Sequence, residues 1–498
     1  MRGPIIPLLF SVFLIAVLVF MMGDRSGNRL AQTTLLVHCA AGIRPPVEEA
    51  AKAYEEEFGV TVQFNYAGSG ALLSSLKTRN QGDIYIAADS SYTDLAREAG
   101  IVSEALPVAT QRPTIAVPKG NPKGITGIDE LLKDGIRIAF ANPDAASVGK
   151  TSKKLLTSIG KWQAINDAVT ANGVFKPTVN EVANDVKLGT VDAGIIWNVT
   201  VNQYPELEAV PLENADNFAK NVTIGIMTQS KQPAEALRFA RYLTAPEKGI
   251  PIFKKYGFPV IPGDTWTVNP EILYYSGGVN RIAIEETLAK FQKREGVSIT
   301  TVYNGCGILL GQIKTGGRPD LYHTCDISFM NGVEEHFGTP LALSKTQIVI
   351  LVPKGNPRNI QSLRDLTLPS LQLGLCNEEQ STLGSMTADL LHAANIYEAV
   401  QKNVVVNTPT ADLLTTQLSV GKLDAAVVYQ ANAMQVADVT DTISINQNGA
   451  VATQTIAIAQ TTKYPAILTR LNAALQHTES RERFLQSGFE WISQDNAS

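Results

Sequence analysis

Along the chain, short apolar runs alternate with segments whose apolar positions recur every three or four residues. Leu35 to Cys39 predicts a strand, Val47 to Phe58 an amphipathic helix, Val60 to Tyr66 a strand, Ala71 to Lys77 a helix and Ile84 to Ala87 a strand. Ile136 to Phe140 and Ala193 to Trp197 are expected as further buried strands. Strands alternating with helices imply an α/β fold of mainly parallel sheets flanked by helices. In such sheets ligands bind beyond the carboxyl ends of the strands, so chemistry is to be sought in the loops that follow them.

The pattern is written twice. Val117, Pro118, Lys119, Gly120, Asn121, Pro122 returns as Val352, Pro353, Lys354, Gly355, Asn356, Pro357, about 235 residues later and each time after a β-branched run. Gly68, Ser69, Gly70 recurs as Gly305, Cys306, Gly307, and Asp83, Ile84, Tyr85 as Asp320, Leu321, Tyr322. The run from Val191 to Trp197 matches Leu423 to Tyr429, and Gly257, Phe258 matches Gly488, Phe489. A period this long is far beyond that of a solenoid, so each copy is expected to fold as its own unit. The expected division is an N-terminal segment 1–33, module 1 at 34–265, a linker at 266–270 and module 2 at 271–495. Pro262, Gly263, Asp264, Asn269 and Pro270 supply turn-formers for the join. Each module should consist of two lobes, with hinges near Val117, Pro118 and near Val352, Pro353.

Two loops can hold an anion. Gly68, Ser69, Gly70 leaves a strand and enters a helix, which aims unbonded N–H groups and the positive end of a helix dipole at one spot. The serine adds a rotatable donor and the glycines allow a close approach, although ordinary helix capping explains the same residues. Ser147, Val148, Gly149, Lys150, Thr151 forms a second cradle, with Thr382, Leu383, Gly384, Ser385 as its partner. It is not a nucleotide-binding loop, because Asp144 stands where that motif needs glycine.

Composition narrows the function. The 498 residues, 44% hydrophobic and 18% charged, suffice for several cores, and a net charge of −5 supplies no field for nucleic acid. Arg2 precedes an uncharged apolar stretch from Gly3 to Gly23, which predicts export. Phe20, Met21, Met22 offer no small-residue cleavage site, so an uncleaved anchor over residues 4–22 is favoured over a cleaved signal. The rest of the chain would then lie outside the cytoplasmic membrane. Five histidines show no metal-ligand spacing, four cysteines do not make a disulfide framework, and no catalytic constellation or cofactor motif emerges. The chain reads as a binding protein, not an enzyme.

Taken in order, these motifs resemble the periplasmic molybdate-binding proteins of bacterial ABC importers, once per repeat and over nearly the whole chain after the N-terminal segment. The resemblance rests on the loop Ala40 to Ile43, the turn Gly68 to Gly70, the run Asp83 to Asp89, the V-P-K-G-N-P segment and the strand Asp192 to Trp197. It implies a two-lobed solute-binding fold in tandem. It also implies a small oxyanion ligand, molybdate or tungstate, held by hydroxyls and backbone N–H groups, with separately encoded permease and ATPase subunits as partners. In module 1 it places the ligand among Gly42, Ser69, Ser147, Val148, Val182 and Trp197. In module 2 it points to Cys306, Thr382, Leu383, Leu414 and Tyr429. Several positions depart from the family: its first-loop serine falls on Gly42 and near Val279, Trp197 replaces its tyrosine, and Cys306 its cradle serine. Cys306, Cys325 and Cys376 all align to strand ends facing the second cleft. They are either small core residues, a soft-metal site or a source of a disulfide. A membrane-tethered sensor or interaction protein is the competing reading to transport.

Overall fold

The computed structural model describes residues 33–492. The N-terminal segment, with the apolar stretch at 4–22, and the last three residues of the expected second module lie outside the described residues. Among those described, no helix is long and apolar enough to cross a membrane.

Module 1 contains β1 (Thr34–Ala40), β2 (Thr61–Ala67), β3 (Ile84–Ala87), β4 (Val102–Gln111), β5 (Pro113–Pro118), β6 (Ile138–Ala141), β7 (Val174–Lys176), β8 (Ala193–Trp197), β9 (Leu207–Val210) and β10 (Lys220–Met227). They form two five-stranded sheets, in the orders β2-β1-β3-β10-β4 and β7-β6-β8-β5-β9, one per lobe. In each sheet the strands of the βα alternation run parallel, β1 with β2 and β3, and β6 with β7 and β8. The strands that carry the chain between lobes, β4, β5 and β10, pair antiparallel, as does β9 at the sheet edge. All residues of β3 and β8 are buried, as expected of strands covered on both faces.

The helix Arg44–Phe58 shows why the local pattern is readable. Val47, Ala50, Ala51 and Tyr54 recur at helical spacing and are buried, a proline lies in the first turn, and Gly59 ends the helix at φ 68°. Its copy, Arg281–Glu295, ends on Gly296 at φ 69°.

Module 2 repeats the plan with β11 (Glu271–Gly277), β12 (Ser298–Asn304), β13 (Leu321–His323), β14 (Leu341–Pro353), β15 (Leu373–Cys376), β16 (Val404–Thr408), β17 (Ala425–Tyr429), β18 (Thr440–Ser444), β19 (Val451–Ile458) and β20 (Glu490–Trp491). Here a single strand, β14, runs through both lobes. Leu341 to Gln347 pairs with β19 in one, and Ile348 to Leu351 with β17 in the other.

The crossings are not where the sequence placed the hinges. In module 1 the chain changes sheets at Arg112, between β4 and β5, and returns through Ala215–Phe218 between β9 and β10. In module 2 it crosses at Gln347 and Ile348 and returns between Ser444 and Val451. Val117, Pro118 and Val352, Pro353 lie at the far ends of their strands. The repeated hexapeptide is a turn: Gly120 and Asn121 take φ 82° and 46°, Gly355 and Asn356 take 80° and 48°. Glycine and, less readily, asparagine are the residues that tolerate this region best, which explains the repetition.

The join between modules is packed. Asp264 accepts hydrogen bonds from the N–H groups of Ala466 and Ile467 at 2.7 and 3.0 Å, capping the module 2 helix Pro465–Gln476. Trp266 lies edge-on to Tyr242, ring centroids 5.2 Å apart. Buried Glu295 of module 2 accepts from Arg241 of module 1 at 3.2 Å and from Nε of Arg470 at 3.1 Å.

Candidate functional site

In module 1 the ends of β1, β3 and β8 and the starts of several helices meet between the lobes. They enclose a cavity of about 10 Å3, the room of about one water, lined by Gly42, Gly68, Ser69, Ala88, Ser147, Val148, Thr178, Val179 and Trp197 together with Ala40, Ala41 and Ala146. No charged side chain lines it. Five of the six positions expected in this module are therefore brought together: Gly42, Ser69, Ser147, Val148 and Trp197.

Ser69 is fixed from two sides. Its carbonyl accepts from the Tyr85 hydroxyl at 2.7 Å, and its Oγ accepts from the Ala88 N–H at 3.2 Å, so its own O–H proton remains for another acceptor. It opens the helix Ser69–Thr78, as Ser147 opens Ser147–Ser158 from the other lobe. Two positive helix ends thus face one small space.

The glycines of the turn let the backbone of the other lobe approach closely. A Cβ on Gly68 would lie 2.3 Å from the Ala145 carbonyl oxygen, and one on Gly70 would lie 2.5 Å from that of Asp144. The N–H groups of Gly70 and Ala71 donate across the cleft to the Ala145 carbonyl at 3.0 and 3.2 Å. These residues latch the lobes together. Thr151 adds a second latch, donating to Asp89 Oδ2 at 3.0 Å.

Val182 is a correction. It lies one turn inside the helix Val179–Lys187, its N–H is spent on the Thr178 carbonyl, and its side chain packs under Gly194. Thr178 and Val179 line the cavity instead. Thr178 accepts from the Glu181 N–H at 3.3 Å and its hydroxyl donates to the Glu181 carboxylate at 2.9 Å, an N-cap that the spacing T-x-x-E could have revealed. Val179 accounts for Gly42, since a Cβ there would meet Val179 Cγ1 at 2.8 Å.

Module 2 repeats this geometry with other chemistry. Cys306 opens the helix Cys306–Lys314, and the Cys325 N–H donates to its Sγ at 3.1 Å. The two sulfurs stand 3.1 Å apart. Thr382 and Leu383 open the helix Thr382–Ala393, and Tyr429 ends β17. Leu414 repeats the error made with Val182: it is the fourth residue of the helix Ala411–Ser419 and wholly buried. Beside these groups runs a groove of about 420 Å3 between Gly278, Val279, Arg281 and Tyr303 of one lobe and Thr410, Asp412 and Asn432 of the other.

The three-cysteine metal site does not form. Among the described residues, no three His, Cys, Asp or Glu side chains are placed to hold a metal ion. Cys376 turns to the Thr408 hydroxyl, 3.7 Å away, while Cys306 and Cys325 face each other.

Paired lobes on two crossings, closing over a small polar cage, define a protein that captures solutes in clefts, here present twice in one chain. The chain belongs to the bacterial extracellular solute-binding protein family, whose model matches residues 35–259 and again residues 272–490. It is 26% identical over 259 residues to a Bacillus subtilis protein assigned as an ABC transporter substrate-binding lipoprotein, a match covering 50% of this chain and 97% of that one. The molybdate-binding protein of Mycobacterium tuberculosis is 27% identical over 224 residues, 44% of this chain and 82% of its own. Among solved structures, the periplasmic molybdate-binding protein of Azotobacter vinelandii superposes with a TM-score of 0.39 at 19% identity, over 46% of this chain and 99% of that one.

Proposed function

We propose that module 1 captures a small tetrahedral oxyanion, molybdate or tungstate, and delivers it to a membrane permease driven by separate ATPase subunits. In this reading residues 4–22 tether the chain to the outer face of the cytoplasmic membrane. The observation that carries the proposal is a buried cage lined by hydroxyls and helix starts, with no charged side chain. Such a cage favours an anion through oriented dipoles, and it offers a cation no counter-charge. The molybdate-binding relatives support the choice of anion.

The cleft as it stands has room for about one water, so the anion enters by parting the lobes, which breaks the bonds of Gly70 and Ala71 to Ala145. Thermal unfolding with molybdate, tungstate, sulfate and phosphate added separately tests the reading. An anion at about a hundred times its dissociation constant stabilises the protein by roughly 2.7 kcal/mol. In Ser69→Ala that gain should shrink by about 1–3 kcal/mol, because a buried ligand oxygen loses its donor. No stabilisation by any of the four anions would sink the proposal.

A further inference from the structure

The floor of the module 1 cleft holds Ala40 at the end of β1, Ser69 at a helix start and Ala88 just after β3. At the same three places module 2 holds Gly277, Cys306 and Cys325. The backbone bond is kept, with sulfur in place of oxygen: Ala88 N–H to Ser69 Oγ at 3.2 Å becomes Cys325 N–H to Cys306 Sγ at 3.1 Å. Packing of the lobe does not demand a second sulfur, since module 1 fills that place with a methyl group. Space for it exists because residue 277 is glycine. A Cβ there would lie 2.2 Å from Cys325 Sγ and 2.9 Å from Cys306 Sγ. Three positions therefore differ between the modules in a concerted way, and the result is two thiols in contact.

We propose that Cys306 and Cys325 form a dithiol–disulfide couple that exchanges with an external disulfide when the lobes of module 2 part. The thiols are buried, and the groove reaching Gly278, next to Gly277, is the route of entry. Cys306 sits at the positive end of its helix. Burial pushes its thiol up, but hydrogen bonds from the Cys325 thiol and N–H outweigh this and hold it below the ordinary thiol range.

Cys306 thiolate attacks one sulfur of the external disulfide, forming a mixed disulfide and expelling one thiolate, which takes up a proton. Cys325 then gives up its proton and attacks Cys306 Sγ, expelling the second external thiol. Two protein thiols and one external disulfide thus become one protein disulfide and two external thiols. The cysteine sulfurs are oxidised and the external sulfurs reduced. The hydroxyls of Thr382 and Tyr429 have no oxygen or nitrogen partner, and Thr382 faces the Cys306 thiol. Oxidation removes both S–H groups from this cleft and so changes what it offers a ligand.

The test equilibrates the full chain with graded ratios of reduced and oxidised glutathione, traps free thiols by alkylation and maps the peptides by mass spectrometry. The proposal expects the loss of two hydrogens and a linked peptide joining 306 to 325, unchanged in Cys39→Ser and Cys376→Ser. Cys306→Ser and Cys325→Ser should abolish the link, and Gly277→Ala should suppress it by forcing the sulfurs apart. A linked peptide joining any other pair, a glutathione adduct that persists on Cys306 of the unaltered chain, or four free thiols at the most oxidising ratio overturns it. Should a variant misfold, the peptide map of the unaltered chain decides.

Discussion

The two clefts share a backbone and differ in what it presents. In both, a glycine-flanked residue opens a helix whose next N–H groups bond across to the other lobe: Gly70 to Ala145 at 3.0 Å, Gly307 to Gln380 at 3.1 Å. In both, the loop after the third strand donates an N–H to the side chain of that residue. Yet module 1 surrounds its cavity with hydroxyls, an indole and helix ends, while module 2 substitutes two touching thiols and a tyrosine. Closure depends on backbone contacts that tolerate side-chain change, so one copy could alter its cleft chemistry without losing the lobe-closing geometry. Duplication of the fold therefore does not imply duplication of the ligand.

The largest effect should come from the contact that joins the modules. Glu295→Ala leaves buried Arg241 and partly buried Arg470 without their carboxylate and should cost about 3–5 kcal/mol. Urea unfolding should then resolve separate transitions for the two modules; one unshifted transition would show that they do not depend on this contact. Next comes acid sensitivity, which belongs to module 2. Burial holds His323 at about 3, well below its ordinary 6.5, whereas the matching residue of module 1 is Ile86. The unfolded chain takes up the proton first, so this stability is complete above pH 6.5 and drains as pH falls toward 3, at about 1.4 kcal/mol per unit. Module 2 should thus melt first in acid, and His323→Ile with Tyr274→Phe should abolish the difference in a pH series of thermal melts.

Smaller effects test closure and ligand. Gly70→Ala puts a methyl 2.5 Å from the Asp144 carbonyl oxygen and should hold module 1 open, lowering anion affinity at least about tenfold, or 1.4 kcal/mol. Small-angle scattering checks the opening, calorimetric titration the affinity. Last, Gly277→Ala, Cys306→Ser and Cys325→Ala together give module 2 the cleft floor of module 1. Titration should then show a second equivalent of bound anion, gaining about 1 kcal/mol from the restored hydroxyl. Unchanged stoichiometry would mean that Tyr429 or Val279, not the thiols, sets the ligand.

Much of this was legible in the chain. The buried runs at β3 and β8 and the spacing of Val47, Ala50, Ala51 and Tyr54 read directly, because local periodicity reports which face is covered. Val182 and Leu414 were misplaced by one helical turn, since a sequence shows that a helix begins but not which of its N–H groups meets the cleft. The hinges were misplaced because a strand followed by a V-P-K-G-N-P turn looks alike whether it crosses between lobes at its start or at its end. Only the pairing partners of β5 and β14 tell the two apart.

The sequence by itself determined the duplication, the alternation of strand and helix, and the residue types at each strand end, because these follow from side-chain volume and periodicity along one chain. The tertiary structure alone decided that Cys306 meets Cys325 rather than Cys376, that the cradle glycines latch the lobes, and that Glu295 ties the modules together. Those are contacts between separate elements of the fold, and distance in space is not encoded by spacing in sequence.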